Sequence, residues 1–425
     1  MLLERDMGML GGAVGRLLRD RTGNVLMMAA ASMPIFIGAA GLATDTVQWT
    51  LWKRQIQRQA DSAALAGAYA VAQGFSASDS ATSDINRMSL VTLTQTPTIE
   101  NAPTTGAYAG NNKAVRVVLQ TWAELPFSKI LGVKAPVIYG EATAAVVGSG
   151  DYCVVALEKT STVGITLQGS ATVNLGCGIA TNSRASNAVY AGGSSVVTAT
   201  PVAAVGGLSS SSNYVSPTTL LPYSLPVQDP YAGLPTPTAA NLTGCKNYND
   251  KPGDTTSITA GCYKNFDVKG TLNLAPGVYY IDGGTFNAGS QAVINGTDVT
   301  IILTSSNAVT NPSSIATVNI NGGATLNLKA PTDTTNPYHG VLFYQDRRAV
   351  DSGTNTINGN ASSVLQGAFY FPGQALSFSG TSGMTTDCVK MVSKRVTFIG
   401  NSNIVNQCTN KGVDKITATL VRLVG

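Results

Sequence analysis

NVLMMAAASMPIFIGAAGLATDTVQWTLWKRQIQRQADSAALAGAYAVAQ, residues 24–73, is an apolar run that passes without a break into an alanine-rich amphipathic helix. No residue from Asn24 to Thr44 is charged, while Arg16, Arg19, Asp20 and Arg21 stand just before it. About 20 apolar residues cross the hydrocarbon core of a bilayer, so the run predicts a transmembrane helix. The alternative is the buried core helix of a soluble domain, which seldom runs this far without a charge. Trp49 and Trp52 follow the run, where indole rings favour the headgroup region. Pro34 lies inside it, where a membrane helix tolerates it. Beyond Asp45, Val47, Leu51, Ile56, Ala60, Ala63 and Ala64 keep a loosely helical spacing. Lys53, Arg54, Gln57, Arg58 and Asp61 supply a polar side. One helix over residues 24–73 would be about 75 Å long, half in lipid and half a stalk outside it.

Basic residues flank the run on both sides, so charge favours a cytoplasmic N-terminus only slightly. Cysteines orient it better. Cys153, Cys177, Cys245, Cys262, Cys388 and Cys408 all follow the run, with no CxxC pair to suggest a metal or redox site. Disulfides persist outside the cytoplasm, which places the long C-terminal part there. Sequence-local pairs (153–177, 245–262, 388–408) are the expectation, though other pairings remain open, as do six unpaired buried thiols. A cleaved signal peptide fits poorly, because the apolar run exceeds the usual h-region and the helix continues past it.

The chain has 45 glycines, 12% charged residues, a single histidine and a net charge of +4, with no basic run interleaved with aromatics. Nucleic-acid binding therefore has little electrostatic support. Residues 74–148 predict a small α+β region: a helix over Ser78–Leu90, strands over Ala114–Trp122 and Val137–Val147, and a turn with a short helix over Leu125–Gly132. From Asp151 the style changes to short alternating strands among Gly, Ser, Thr and Asn. Similar phrases return: GITLQGSATVNL at 164–175, FDVKGTLNL at 266–274, VNINGGATLNL at 318–328 and TINGNASSVL at 356–365. Such a loose repeat points to a solenoid, with Val, Leu and Ile inside and Thr, Ser and Asn outside or stacked in ladders. The expected fold class is mixed: a long transmembrane helix, a small α+β region, then a mainly β domain. A right-handed parallel β-helix is favoured for that domain, and a β-sandwich is the alternative. Seven prolines from Pro201 to Pro237 argue against a regular ladder there, leaving a loop over 201–240 that wraps the solenoid or links two blocks.

Catalytic signals are sparse. If the chain were a carbohydrate-active β-helix enzyme, its cluster would be Asp346 and Arg347 with Asp351 and His339. No second acidic cluster, calcium loop, G-x-S-x-G elbow, P-loop or HExxH accompanies it. No catalytic, cofactor or metal-binding residue is therefore assigned, and the expectation is a protein without enzymatic activity or cofactor.

Arg21-Thr22-Gly23-Asn24, Met33-Pro34, Gly41-Leu42-Ala43-Thr44-Asp45 and Gln59-Ala60-Asp61-Ser62-Ala63-Ala64-Leu65-Ala66 together resemble the TadE/TadG-like proteins of Flp (Tad) pilus assembly. The motif residues of this stem are Gly23, Pro34, Asp45, Trp49, Trp52 and Asp61, and Pro126, Phe127, Ile130 and Gly132 resemble an element that follows it in that family. The resemblance implies a single-pass protein of the bacterial inner membrane. Residues 1–23 would be cytoplasmic, 24–73 the span and stalk, 74–148 a pilin-like region and 149–425 a periplasmic solenoid-like body. It also implies a structural role in pilus assembly or adhesion, with the membrane and other pilus-assembly or cell-envelope proteins as partners. Met28 stands where a prepilin would carry glutamate after Gly23, so cleavage and entry into the fibre are not expected. No D-x-S-x-S site appears, so metal-dependent adhesion is not carried over.

Overall fold

A computed structural model describes residues 24–89, 91–174, 176–380, 385–400, 403–405, 408 and 412–425. Gly23 and the basic residues before it lie outside the described residues. The chain divides into two compact units, Met1–Val147 with Val421–Gly425, and Gly148–Leu420.

The first unit is built on α1 (Asn24–Ala72), which runs through Pro34 without ending. Its N-terminal half leaves Met27, Met28, Met33, Ile35, Phe36 and Ile37 exposed. Its C-terminal half buries Ile56, Gln59, Ala60, Ala63, Ala64 and Ala68, so the alanine stripe is a packing face. Against it lie α2 (Ala77–Arg87) and a four-stranded sheet. Ser76 caps α2 by accepting from the Asp79 amide at 3.2 Å, and Ala77, Ala81 and Ile85 form its buried stripe. In the sheet, β1 (Thr98–Asn101), β2 (Ala114–Thr121) and β3 (Ile138–Ser149) pair antiparallel. Val115, Val117, Leu119 and Thr121 alternate into the interior, as a one-face-buried strand must. A short helix, α3 (Pro126–Ile130), joins β2 to β3. Two members of the sheet are additions to the sequence reading: β1, and the strand Ala418–Leu423 that lies beside β3.

The second unit is a mostly β, helix-like stack of parallel strands. Its described strand pairs are all parallel, whereas a Greek-key sandwich needs antiparallel ones. Alternating strands build two of its rows. Leu272, Ile294 and Leu326 stack inside while Asn273, Asn295 and Asn327 stack outside, each asparagine amide donating to the next side-chain oxygen at 2.9–3.0 Å. Asp267, Asn287 and Asn319 form a second such ladder. These ladders are what the repeated TLNL-like phrases encode.

A third row is different. Tyr152–Ala156, Val299–Thr304 and Val341–Gln345 are buried at every position, the mark of strands covered on both faces. Tyr279, Ile301, Phe343, Phe369, Met391, Val154, Ile179 and Val202 are successive register partners and point into the main core. Their neighbours Ile302, Tyr344, Tyr370, Val392, Val155, Ala180 and Ala203 point the other way, into a second core under Val227, Tyr338, Ile416 and Ala418.

That register shows a chain order unlike a simple solenoid. Met391 is followed by Val154: the strand Thr385–Phe398 stacks on Tyr152–Ala156 and Ile165–Leu167. The chain therefore starts in the middle of the stack and builds toward Leu220–Leu221 at one end. It then crosses to Lys246–Asn249 at the other end and builds back to a seam between its last and first turns.

The proline-rich segment divides at this point. Against expectation, Val202–Ala204 and Leu220–Leu221 belong to the stack. Pro201 stands immediately before its strand and Pro222 immediately after, where a missing amide interrupts no ladder. Residues 222–245 are the crossing, a strap over the third row.

Candidate functional site

Two places concentrate the residues singled out from the sequence: the packed half of α1 and the strap with its anchors.

On α1, the motif residues make close approach possible. Asp45 is buried, and its Oδ2 accepts from the Ser128 amide at 2.6 Å, so it caps α3 from another element. A Cβ at Gly41 would fall 2.1 Å from the Phe127 ring, one at Gly140 would fall 2.5 Å from the Ile56 carbonyl oxygen, and one at Gly67 would crowd Val115 at 2.9 Å. Hydrogen then is the only side chain at these points that lets α3, β3 and β2 meet the helix. Gln59 donates to the Ile85 carbonyl at 3.0 Å, tying α1 to the end of α2. Asp61 accepts from Gln57 at 2.9 Å, and the Trp49 indole donates to the Ala123 carbonyl at 3.4 Å. Trp52 is half-buried and Pro34 lies in the exposed stretch.

Among the described residues, α1 alone is long and apolar enough to cross a membrane, and its most apolar window is only 6% buried. A soluble core helix would be mostly covered. Residues 23–72 match the family model Tad, Flp pilus-assembly TadE/G-like. No curated protein and no solved structure matches the chain. The Tad-type segment coincides with α1 and supports a pilus-related, membrane-associated role.

The polar cluster of the stack does not converge on open space. Asp346 is 0% exposed; its Oδ1 accepts from the Arg348 amide and Nε, and its Oδ2 from Thr304 and the Arg348 guanidinium. Arg347 turns toward the strap, donating to the Tyr370 hydroxyl and the Leu234 carbonyl, each at 3.0 Å, and to the Tyr231 carbonyl. Arg348 also donates to the Pro237 carbonyl at 3.0 Å. Tyr370 in turn donates to Asp229 at 2.6 Å, and Asn182 brackets Val227 with two hydrogen bonds of 2.8 and 2.9 Å. Burial pushes the Tyr344 hydroxyl, stacked on the Tyr370 ring, up to about 12. Together these residues fasten a segment that has few backbone partners of its own.

Asp351 belongs elsewhere, to an ion-pair set with Lys394 and Arg395, and Arg395 also binds the buried Glu158 at 2.7 Å. The Arg395 guanidinium holds the Asp351 carboxyl below its ordinary range. His339 lines a cleft with Tyr231, Leu234, Asp414 and Ile416, and its Nδ1 has no hydrogen-bond partner.

The six cysteines form disulfides Cys153–Cys177, Cys245–Cys262 and Cys388–Cys408, with Cα separations of 5.8, 4.4 and 4.6 Å. Asp282 lies near the second pair, but with both sulfurs bonded to each other no thiolate is left to bind a metal. Sequence reading missed Lys390 and Asp151. Lys390 is 0% exposed, and its ammonium donates to Asp151 and to the Asp414 carbonyl, each at 2.7 Å. A buried lysine inside a strand is a signal, but its partner is 239 positions away.

Proposed function

We propose that the chain is a non-catalytic, membrane-anchored scaffold of Flp-type pilus assembly or adhesion. The observation that carries this reading is the continuity of α1: an exposed apolar half, then a packed half, both within the Tad-type match. The exposed half would span the bacterial inner membrane once, with the N-terminus in the cytoplasm. Three disulfides support an oxidising compartment for the stack, which makes it a periplasmic body.

The stack would be a right-handed parallel β-helix, since parallel crossovers overwhelmingly take that hand. Its contribution would be shape, stiffness and exposed ends for contact. The engaged states of Asp346, Arg347 and Asp351 support a structural role for the cluster that an enzyme would have used.

Crosslinking in intact membranes, with the full chain as bait, tests the proposal. Capture of pilus-assembly components is expected. Their absence overturns the pilus role, and turnover of envelope polysaccharide by the purified chain overturns the non-catalytic one.

A further inference from the structure

The α3 loop carries an apolar surface that no described residue of the first unit covers. Ile130 is 82% exposed, Leu131 49%, Val137 46% and Val133 41%, and the Phe127 ring is partly open as well. Five such side chains within residues 127–137 are unusual for a loop facing water, where large apolar patches mark a contact surface. Gly132, at φ +68°, turns the chain just after α3 and leaves Ile130 and Leu131 at the tip.

The position of this loop decides what covers it. Phe127 rests on Gly41, and Leu131 Cδ2 lies 3.8 Å from where a Cβ on Gly38 would stand. The loop thus lies alongside the C-terminal end of the exposed apolar stretch of α1, and its own apolar surface continues that stretch sideways. Aromatic residues mark the same level: Trp122 and Tyr139 are exposed, and Trp49 reaches Ala123 beside Trp122. Lys129 and Lys134 are exposed on the loop, long enough to keep their ammonium groups in water while their stems lie along apolar surface. Apolar tip, flanking lysines and neighbouring aromatics are the composition of an interfacial membrane element.

We propose that residues 126–137 form a second membrane contact, dipping into the headgroup–acyl boundary beside the α1 span. Phe127, Ile130, Leu131, Val133 and Val137 enter the lipid, and Lys129 and Lys134 lie among the headgroup phosphates. The first unit then touches the bilayer at two places, which fixes its tilt and rotation instead of leaving it to swing on one helix. The proposal rests on the reading of α1 as a span.

Reconstitution of the full chain into phosphatidylethanolamine–phosphatidylglycerol vesicles containing a phospholipid with a photoreactive acyl chain tests both. Lipid adducts mapped by mass spectrometry are expected on residues 27–44 and also on residues 126–137. The double variant Ile130→Glu, Leu131→Glu changes exposed positions only. It is expected to lose the second set of adducts and keep the first. Adducts on residues 27–44 alone in the unaltered chain overturn the second contact and leave the span intact. Chain-to-chain crosslinks at residues 126–137 in place of lipid adducts overturn it in favour of a protein neighbour. Absence of adducts on residues 27–44 overturns the span itself, and with it this proposal.

Discussion

The stem and the stack both bury apolar surface, but they recruit it over different ranges of chain. In the stem, one helix supplies a continuous face, and glycines 41, 67 and 140 let neighbouring elements approach it. Its contacts are spread along α1, each joining the helix to a different partner. In the stack, each inner turn is covered by the turns above and below it, and at the seam those turns are the last and the first of the unit. A stem built this way should fail locally. A stack closed at a seam should fail as a whole, because the strands on either side of the break cover one another.

The sharpest way to break that contrast is at the seam. Asp151 and Lys390 join the first and last turns, and Ile416 adds its amide to Asp151 at 3.3 Å. Lys390 is fully buried, and burial lowers its pKa despite the carboxylate beside it. Asp151→Ala would leave an unpaired ammonium in the interior, a loss on the order of 3–5 kcal/mol. Adding Lys390→Met removes the stranded charge and should recover much of that loss. Urea unfolding of the full chain in lipid nanodiscs, read by near-ultraviolet circular dichroism, measures both variants. If Asp151→Ala frays only the turns next to the seam, the stack is not closed there in the way described.

Legibility follows the same division. The stem could be read because helical spacing and uncharged length are local properties, and the long apolar helix, α2, β2, β3 and the short α3 lie within a few residues of where the pattern puts them. The strand TIEN at 98–101 was hidden because it is short, polar and half-exposed at an edge. Ala418–Leu423 looks like a strand, but nothing local says that it joins a sheet whose other members lie before residue 150. In the stack, TLNL-type strands announced themselves through period-two alternation. VLFYQ and VTIILT did not reveal what covers their second face, because most of that cover, Val227 of the strap with Ile416 and Ala418, comes from distant parts of the sequence. What Arg347 holds, in the cluster named only for the enzyme alternative, was hidden for the same reason. The carbonyls that Arg347 binds, at Tyr231 and Leu234, are 116 and 113 positions away.

In the stem, Asp45→Ala gives a smaller, local effect. It removes the carboxylate that accepts from the Ser128 amide and should cost about 1 kcal/mol, as loss of a helix cap does. Hydrogen exchange in nanodiscs is the appropriate measurement. Amides of residues 127–131 should exchange faster, while those of the stack stay unchanged. Faster exchange throughout the second unit would mean that the stem and stack do not fail independently.

The smallest effect lies on the outside of the seam, where Arg395 bridges Asp351 and Glu158 from turns on either side of its own. Hydrogen bonding to Arg395 depresses the Asp351 pKa in the folded chain. A depressed carboxyl stabilises the fold above its unfolded value of about 3.9, and that stability is lost as pH falls through the folded value. Both side chains are partly open to solvent, so screening keeps the contribution below about 1 kcal/mol. Asp351→Asn should therefore be slightly less stable than the unaltered chain at pH 7. The difference should shrink in acid as the native carboxyl takes its proton, and added salt should also reduce it at neutral pH. A difference that persists undiminished to about pH 2 would show that Asp351 acts through its shape and neutral hydrogen bonds, leaving Lys390–Asp151 and Arg395–Glu158 as charged ties of the seam.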